Sequence, residues 1–240
     1  MKPIIKLNRS IIPSCDFQSL EKLRRLIKET SDIEGLGAYK IGFELVLENG
    51  LNAVIEEIRR YTELPVIYDH QKAGTDIPEM GYRFIKSCNG VSAVILFPFA
   101  GISTETEWIN SAKEHDMPVI IGGEMTHRGF LLSDGGFIDD NSPARIYEKA
   151  VELGVADFVV PGNKPDKIKF YREIIESECK KPVYYSPGFI EQGGSISESA
   201  KSAGERWHAI VGRAIYQQSD MHKAVKEIVK CFQNLSSSRK

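Results

Sequence analysis

The sequence lacks features that would direct it to an oxidising compartment or a membrane. It has four cysteines in 240 residues, without a CxxC pair or another metal-ligand spacing, and this usage is typical of reduced thiols in the cytosol. There is no run of about 18 apolar residues and no apolar N-terminal segment, so we predict neither a membrane span nor a signal peptide. We therefore expect a cytoplasmic protein without a membrane partner.

Excess charge of either sign is also missing. The chain has 31 Lys and Arg against 33 Asp and Glu, a net charge of -2, which gives no electrostatic reason to expect a nucleic-acid partner. A GxGxxG motif does not follow the first predicted strand, and this argues against a dinucleotide-binding, doubly wound sheet.

The chain does contain repeated units of an apolar, β-branched run followed by a segment of helical periodicity. We predict eight strands, at residues 10–15, 38–42, 66–68, 91–97, 118–122, 156–160, 182–186 and 208–211. Strands that alternate with helices form a parallel sheet, and eight of them in this length favour a closed (β/α)8 TIM barrel over an open doubly wound sheet. We expect one domain at residues 1–235 and a disordered tail at residues 236–240.

The third strand is followed abruptly by charge. Residues 65–78 read PVIYDHQKAGTDIP, so that Asp69, Lys72 and Asp76 come after the apolar run. Ligands bind at the carboxyl ends of the strands in parallel α/β proteins. These side chains therefore form a candidate site, although a solvated loop with a weak surface ion pair fits the same pattern.

Two other charged residues belong to the same end of the predicted barrel. Asp16 follows strand one, and Lys40 lies within the otherwise apolar YKIG of strand two. A lysine in a buried parallel strand is rarely unpaired, and alternating carboxylates and ammonium groups keep one another ionised. Asp16 could instead serve only as a helix N-cap.

A phosphate site is predicted at the ends of the last two strands. Gly193 and Gly194 follow strand seven, and Gly212 and Arg213 follow strand eight. Such barrels frequently bind phosphate at this position, because glycine lets backbone N–H groups approach the anion closely. After strand five, Thr126 could contact a flat polar ligand, with residues 129–141 as a closing lid.

In order along the chain, the segments SCDF, KIGFELVLENG, EMTHRG, SPGFIEQGG and VGRAIY resemble those of the orotidine 5'-monophosphate decarboxylase family. The resemblance implies catalytic residues Lys72, Asp69, Lys40 and Asp76, and substrate-binding residues Asp16, Ile77, Thr126, Pro187, Gln192, Gly193, Gly212 and Arg213. It implies decarboxylation of orotidine 5'-monophosphate to uridine 5'-monophosphate in pyrimidine biosynthesis, without a cofactor or metal. It further implies a homodimer in which Asp76 completes the neighbouring site.

Two departures from the family pattern occur after strand three. The family has Asp-x-Lys-x-x-Asp-Ile, whereas this chain is two residues longer between Asp69 and Asp76. We predict that a β-bulge absorbs the extra length, with Gly74 supplying the unusual backbone angle. Met80 stands where the family tends to carry a threonine, so a ribose contact from this position is not expected.

The altered spacing keeps three alternatives open. One is a magnesium-dependent aldolase or decarboxylase of a sugar phosphate, such as hexulose-6-phosphate synthase, in which the strand-three acids hold the metal. Another is an aldolase that forms a Schiff base through Lys40 or Lys72. The third is a catalytically silent barrel that only binds a nucleotide.

Overall fold

A computed structural model of the chain describes residues 3–188 and 196–237, without the side chains of residues 71, 72, 196–198 and 232–237. Its eight parallel strands form a closed barrel in sequence order, each strand pairing with the next and the last with the first. The strands are β1 (Arg9–Cys15), β2 (Tyr39–Gly42), β3 (Val66–Ala73), β4 (Ala93–Leu96), β5 (Val119–Gly122), β6 (Asp157–Val159), β7 (Val183–Ser186) and β8 (Trp207–Val211). The predicted TIM barrel is therefore confirmed.

The helices surround the barrel and cover the outward-facing side chains of the strands. They are α1 (Leu20–Thr30), α2 (Phe43–Asn49), α3 (Leu51–Arg59), α4 (Met80–Ser87), α5 (Ile102–Glu114), α6 (Ser142–Glu152), α7 (Pro165–Glu178), α8 (Ile196–Ser202), α9 (Arg213–Tyr216) and α10 (Met221–Ser237). The first helix is capped by Ser19, whose side chain accepts a hydrogen bond from the backbone N–H of Lys22, so Asp16 is not its cap.

The strands alternate between two apolar layers, as the period of two requires. Outward side chains such as Ile41 and Val94 belong to the large layer between barrel and helices. Inward ones form a smaller cluster that fills the barrel; its members are Ile5, Ile12, Ala38, Ile67, Ala93, Ile95, Phe97, Ile120, Val159, Val183, Tyr185 and Ile210. The barrel interior is thus a packed core, and a ligand must bind at one of its ends.

Strand β3 is longer than the sequence predicted, because it runs through the charged segment to Ala73. Its pairing with β4 shifts register: Tyr68 pairs with Val94, and Ala73 pairs with Leu96, so five steps along β3 match two along β4. Gly74 follows with a φ of 99°, a region that glycine enters at little cost. The predicted bulge is confirmed, and β3 has three more residues than β4 between these two paired positions.

The segment predicted as a lid, residues 129–141, has structure of its own. A 3-10 turn spans Leu132–Asp134, Leu131 forms a β-bridge with Ile138, and Phe130 and Leu131 are buried. At the C-terminus, α10 extends to Ser237 and so includes the first two residues of the expected tail. None of the helices in the described ranges is long and apolar enough to cross a membrane.

Candidate active site

Lys40 is the centre of a buried ionic network at the carboxyl ends of β1, β2 and β3. Its Nζ lies 2.9 Å from Oδ1 of Asp16 and 3.2 Å from Oδ2 of Asp69. The Lys40 side chain is only 5% exposed and that of Asp69 8%, whereas that of Asp16 is 30% exposed. The network therefore reaches from the barrel interior to the open mouth.

The charge state of Lys40 is set by two opposing effects. Burial favours the neutral amine and lowers the pKa, but the carboxylates of Asp69 and Asp16 outweigh it, and the net effect is a raised pKa. An ammonium group held between two carboxylates stays charged, as the sequence predicted for this set. The site consequently presents fixed charge in a region with little solvent.

Two small residues hold the exposed member of the network in place. Ser14 donates a hydrogen bond through Oγ to Oδ2 of Asp16 at 2.6 Å. Gly42, the last residue of β2, leaves room for the same carboxylate, since a Cβ there would lie 2.4 Å from its Oδ1. Any larger residue at position 42 would displace the Asp16 side chain.

The β3 bulge places Asp69 inside the barrel and His70 on its outer side. Asp69 faces Lys40, whereas His70 is exposed and its ring lies 5.9 Å from that of Phe84 in α4. Lys72 belongs to the same bulge, and its side chain lies outside the described part of the structure.

Asp76 and Ile77 are predicted site residues that lie at the protein surface. Asp76 is exposed and Ile77 is 59% exposed. Their backbone is nevertheless held firmly, because Thr104 donates a hydrogen bond to the Asp76 carbonyl at 2.9 Å and Trp108 donates one to the Ile77 carbonyl at 3.1 Å. The pair forms a supported, outward-facing edge next to the barrel mouth.

Thr126 follows β5 and is half-buried at the mouth. Its carbonyl accepts a hydrogen bond of 2.9 Å from Nδ2 of Asn163, which lies in the loop after β6. The β6 loop therefore fixes the backbone at the residue predicted to contact a flat polar ligand.

A second buried ionic contact at the mouth was not predicted from the sequence. Lys164 Nζ lies 2.7 Å from Oε1 of Glu124 and 3.0 Å from the carbonyl of Met125, and Tyr171 donates a hydrogen bond to Oε2 of Glu124. The Glu124 side chain is fully buried. The available signal was a glutamate two residues after an apolar strand and a lysine in the PGNKP loop that follows the next strand.

The predicted phosphate site is described in part. Pro187 follows β7 and its carbonyl accepts a hydrogen bond of 2.9 Å from the Gly162 amide. Gly212 ends β8 and precedes α9, which begins at the exposed Arg213. Gln192 and Gly193 lie outside the described residues.

The donor set at the mouth bears on the metal-dependent alternative. The carboxylates that follow β1 and lie in β3, Asp16 and Asp69, are already bridged by the Lys40 ammonium. Among the described residues, His, Cys, Asp and Glu do not form a group of three suited to a metal ion. The arrangement provides its own positive charge where a magnesium ion would need free carboxylate oxygens.

Fold and site together define a (β/α)8-barrel protein with a buried Lys-Asp network at the carboxyl ends of its first three strands. Comparison with known proteins gives the family: residues 9–228 match the orotidine 5'-phosphate decarboxylase / HUMPS family. The chain belongs to this family.

Individual relatives and a solved structure agree with this assignment. The chain is 30% identical to the orotidine 5'-phosphate decarboxylase of Methanococcus maripaludis strain S2 over 213 residues, which is 88% of this chain and 92% of the relative. It is 32% identical to that of Methanococcoides burtonii over 225 residues, or 93% and 96%. The crystal structure of orotidine 5'-monophosphate decarboxylase from Methanocaldococcus jannaschii complexed with inhibitor BMP matches with a TM-score of 0.80 and 26% identity, covering 92% of this chain and 97% of that one.

Proposed function

We propose that this protein decarboxylates orotidine 5'-monophosphate to uridine 5'-monophosphate without a cofactor, as a step of pyrimidine biosynthesis. The observation that carries the proposal is the Lys40 ammonium buried between Asp16 and Asp69, beside the β3 bulge that contains Lys72. The names of the relatives support the same reaction.

The chemical problem is a carbanion at C6 of the pyrimidine, which has no electron sink, so fixed charge must stabilise it. In the proposed mechanism the Lys72 ammonium lies next to C6, stabilises the developing anion and then protonates it. The Asp69 carboxylate lies against the substrate carboxylate and favours its departure. Lys40 keeps Asp69 ionised and in position, and Asp16, at the open edge of the network, binds the ribose hydroxyls.

Substrate binding away from C6 completes the proposed site. Arg213 and Gly212 after β8, with Gln192 and Gly193, bind the phosphate, while Thr126 and Pro187 contact the pyrimidine side. Binding energy from the phosphate is remote from the reacting carbon, so it can hold the base against the charged network. The β6 loop supports this by anchoring the backbone of Thr126.

The test is incubation of purified protein with orotidine 5'-monophosphate and EDTA, following loss of the orotate absorbance. Turnover in the presence of the chelator supports the proposal. No turnover with EDTA, but activity on a hexulose 6-phosphate restored by magnesium, would assign the protein to the other branch of the family. Tight binding of uridine 5'-monophosphate without turnover would indicate a silent barrel, and borohydride trapping of substrate on a lysine would indicate a Schiff-base aldolase.

We also propose a homodimer in which Asp76 and Ile77 reach the neighbouring subunit's site. Both residues are exposed on an edge that two hydrogen bonds hold in place. Contact with water does not stabilise an apolar side chain such as that of Ile77. Ile102, at the start of α5, is also 59% exposed, and the same helix provides the Thr104 and Trp108 side chains that support this edge. A second copy of the chain would cover this apolar surface.

Mixing two inactive variants tests the shared site. Lys72→Ala and Asp76→Asn each remove one component, and subunit exchange between them leaves one intact site in every mixed dimer. About a quarter of wild-type activity should return in an equimolar, fully exchanged mixture if Asp76 acts across the interface. No recovery, with exchange demonstrated by differently tagged subunits, would place Asp76 in its own subunit's site.

The domain and its location complete the proposal. One catalytic domain spans residues 1–235, and it works in the cytoplasm without nucleic-acid or membrane partners. The four free cysteines, two of them buried, fit a reducing compartment.

A further inference from the structure

A separate cavity of about 150 Å³ lies between the first turns of α5 and α6, outside the candidate active site. Its walls are mostly apolar, and the lining residues are Pro98, Phe99, Gly101, Ile102, Glu105, Ile138, Ser142, Arg145 and Ile146. The volume exceeds what a single water molecule needs. The polar groups that line it therefore decide what it can bind.

Glu105 is the unusual member of this lining. It is only 3% exposed, and its Oε1 has no hydrogen-bond partner among the described residues. Buried carboxyl oxygens nearly always have a partner, so an orphaned one next to a cavity indicates a missing ligand or water. Burial raises the pKa of Glu105 to about 8, while Lys149 lowers it and Glu152 raises it to a smaller extent. Near neutral pH the side chain is therefore mostly a neutral acid, which can donate a hydrogen bond.

The other polar groups at the cavity favour negative charge. Helix α5 begins at its wall with Gly101 as N-cap and no side-chain capping bond, so this end of the helix has uncapped N–H groups and a partial positive charge. Arg145, one turn into α6, is exposed and lines the same cavity. A cation would face both the Arg145 guanidinium and this helix end, whereas an anion is attracted by both.

We propose that this cavity is a second binding site, for a small organic monocarboxylate with a short apolar tail. The ligand carboxylate accepts hydrogen bonds from the Glu105 carboxyl group and the Arg145 guanidinium, and its tail packs against Phe99, Ile138 and Ile146. The planar carboxylate suits Arg145, which binds such groups in a bidentate manner. The apolar walls disfavour a multiply charged phosphate.

The site shares one wall with the barrel mouth, although the proposal does not rest on the decarboxylase function. The Phe99 ring lies 5.5 Å from that of Phe97, which fills the barrel beneath Gly122, and 5.3 Å from that of Phe130. The Phe130 ring in turn lies 6.0 Å from the ring of His127, next to Thr126. A ligand against Phe99 is thus close to the segment proposed to contact the pyrimidine.

Calorimetry with butyrate, butyramide and butylammonium tests the proposal, since the three probes have similar shapes and different charges. The full-length protein should bind butyrate in preference to the other two. Because binding requires protonated Glu105, the Kd for butyrate should rise about tenfold between pH 7 and pH 9. Preference for butylammonium, or no saturable butyrate binding at pH 7, would overturn the proposal and leave a water-filled or cation-binding cavity.

Variants locate the binding event. Arg145→Met should weaken butyrate binding at least tenfold, while Arg83→Met on α4 and Arg213→Ala at the barrel mouth should leave it unchanged. Glu105→Gln keeps a hydrogen-bond donor without a titrating group, so it should bind butyrate with the same Kd at pH 7 and pH 9. Equal binding by wild type and Arg145→Met, or loss of binding in Arg213→Ala, would place butyrate elsewhere.

Discussion

At the carboxyl end of the barrel Lys40 is buried as an ion beside Asp16 and Asp69, whereas at the amino end His208 is buried as a neutral ring beside Ser10. Both residues are less than 5% exposed. His208 Nδ1 lies 2.8 Å from Oγ of Ser10, a neutral partner. Burial, followed by the charge of Arg206, lowers the His208 pKa to about 3.

The amino end contains a second example of the same behaviour. Asp157, the first residue of β6, accepts a hydrogen bond of 2.8 Å from the hydroxyl of Tyr185. Burial raises the pKa of Asp157 to about 6, although this hydrogen bond and Arg206 oppose the shift. The Asp157 carboxylate is thus pushed toward its neutral form, while at the other end two carboxylates hold the Lys40 ammonium charged.

The difference shows that burial alone does not decide ionisation in this barrel. Desolvation acts at both ends, and the presence of an opposite charge within about 3 Å decides which form is stable. Charged groups held in place with little water are what electrostatic catalysis requires, whereas neutral hydrogen-bonded groups only need to fill and close the barrel. Substitutions at the carboxyl end should therefore change activity, and also stability where they leave a buried charge unpaired, whereas substitutions at the amino end should change stability alone.

The largest effect is expected from Lys72→Ala. Removing the proposed proton donor should lower kcat/KM at least about 1000-fold, because both charge stabilisation and protonation at C6 are lost. Thermal unfolding and binding of uridine 5'-monophosphate, measured on the same sample, should change little. Full activity in this variant would remove Lys72 from the mechanism and weaken the contrast between the two ends.

Lys40→Met should affect both activity and stability. It leaves Asp16 and Asp69 as neighbouring carboxylates without their cation, which should lower the free energy of unfolding by about 3–5 kcal/mol and kcat by about 100-fold or more. Urea denaturation at pH 7 and steady-state kinetics measure the two effects. Stability equal to that of the wild type would mean that the network is not a desolvated ionic unit.

Arg213→Ala should act mainly on substrate binding. Loss of one charge-assisted contact to phosphate should raise KM about 10- to 100-fold with a smaller change in kcat. Orotidine, which lacks the phosphate, is the matched control substrate and should be almost insensitive to the substitution. A similar loss with both substrates would move the phosphate site away from α9.

The smallest effect is expected at the amino end, from His208→Asn. The folded-state pKa is depressed from 6.5 to about 3, so the unfolded chain binds the proton more readily, and wild-type stability is lost as pH falls below about 6.5. Asparagine cannot titrate but keeps a polar atom near Ser10. Between pH 7 and pH 4 the free energy of unfolding of the variant should therefore fall by about 2–3 kcal/mol less than that of the wild type. Asp157 is present in both proteins, and its opposite pH dependence cancels in the comparison. Activity at pH 7 should be nearly unchanged. If the free energies of unfolding of wild type and variant changed in parallel with pH, His208 would not be held neutral in the folded protein.

Much of the barrel was predictable from local pattern. Apolar runs of three to seven residues and the helical periodicity between them predicted the number, order and type of the strands, because each strand is buried on both faces. The end of β3 was placed too early, since charged residues from Asp69 onward resembled a loop. Only the pairing partners on β2 and β4 show that this charged segment continues as a bulged strand.

The sequence predicted the candidate site less completely than the barrel. Asp16, Lys40 and Asp69 could be expected to meet because parallel strands end at one face. The contact between Glu124 and Lys164 could not, since it joins side chains 40 residues apart whose directions depend on two loops. For the same reason the orphaned carboxyl group of Glu105 has no sequence signature: an acidic residue in the first turn of a helix is ordinarily a solvated, favourable one.

The sequence by itself determined the eight-stranded parallel architecture, the family and the charged residues at the strand ends, because these follow from hydrophobic period and from residue order. The sequence also predicted a charged Lys40, whereas only the tertiary structure decided that His208 is neutral. Ionisation depends on distances of about 3 Å and on the local loss of water, and neither is present until the strands close into a barrel. Lys40 and His208 both lie in apolar strand sequences, and their neighbours in space make one of them a cation and the other a neutral ring.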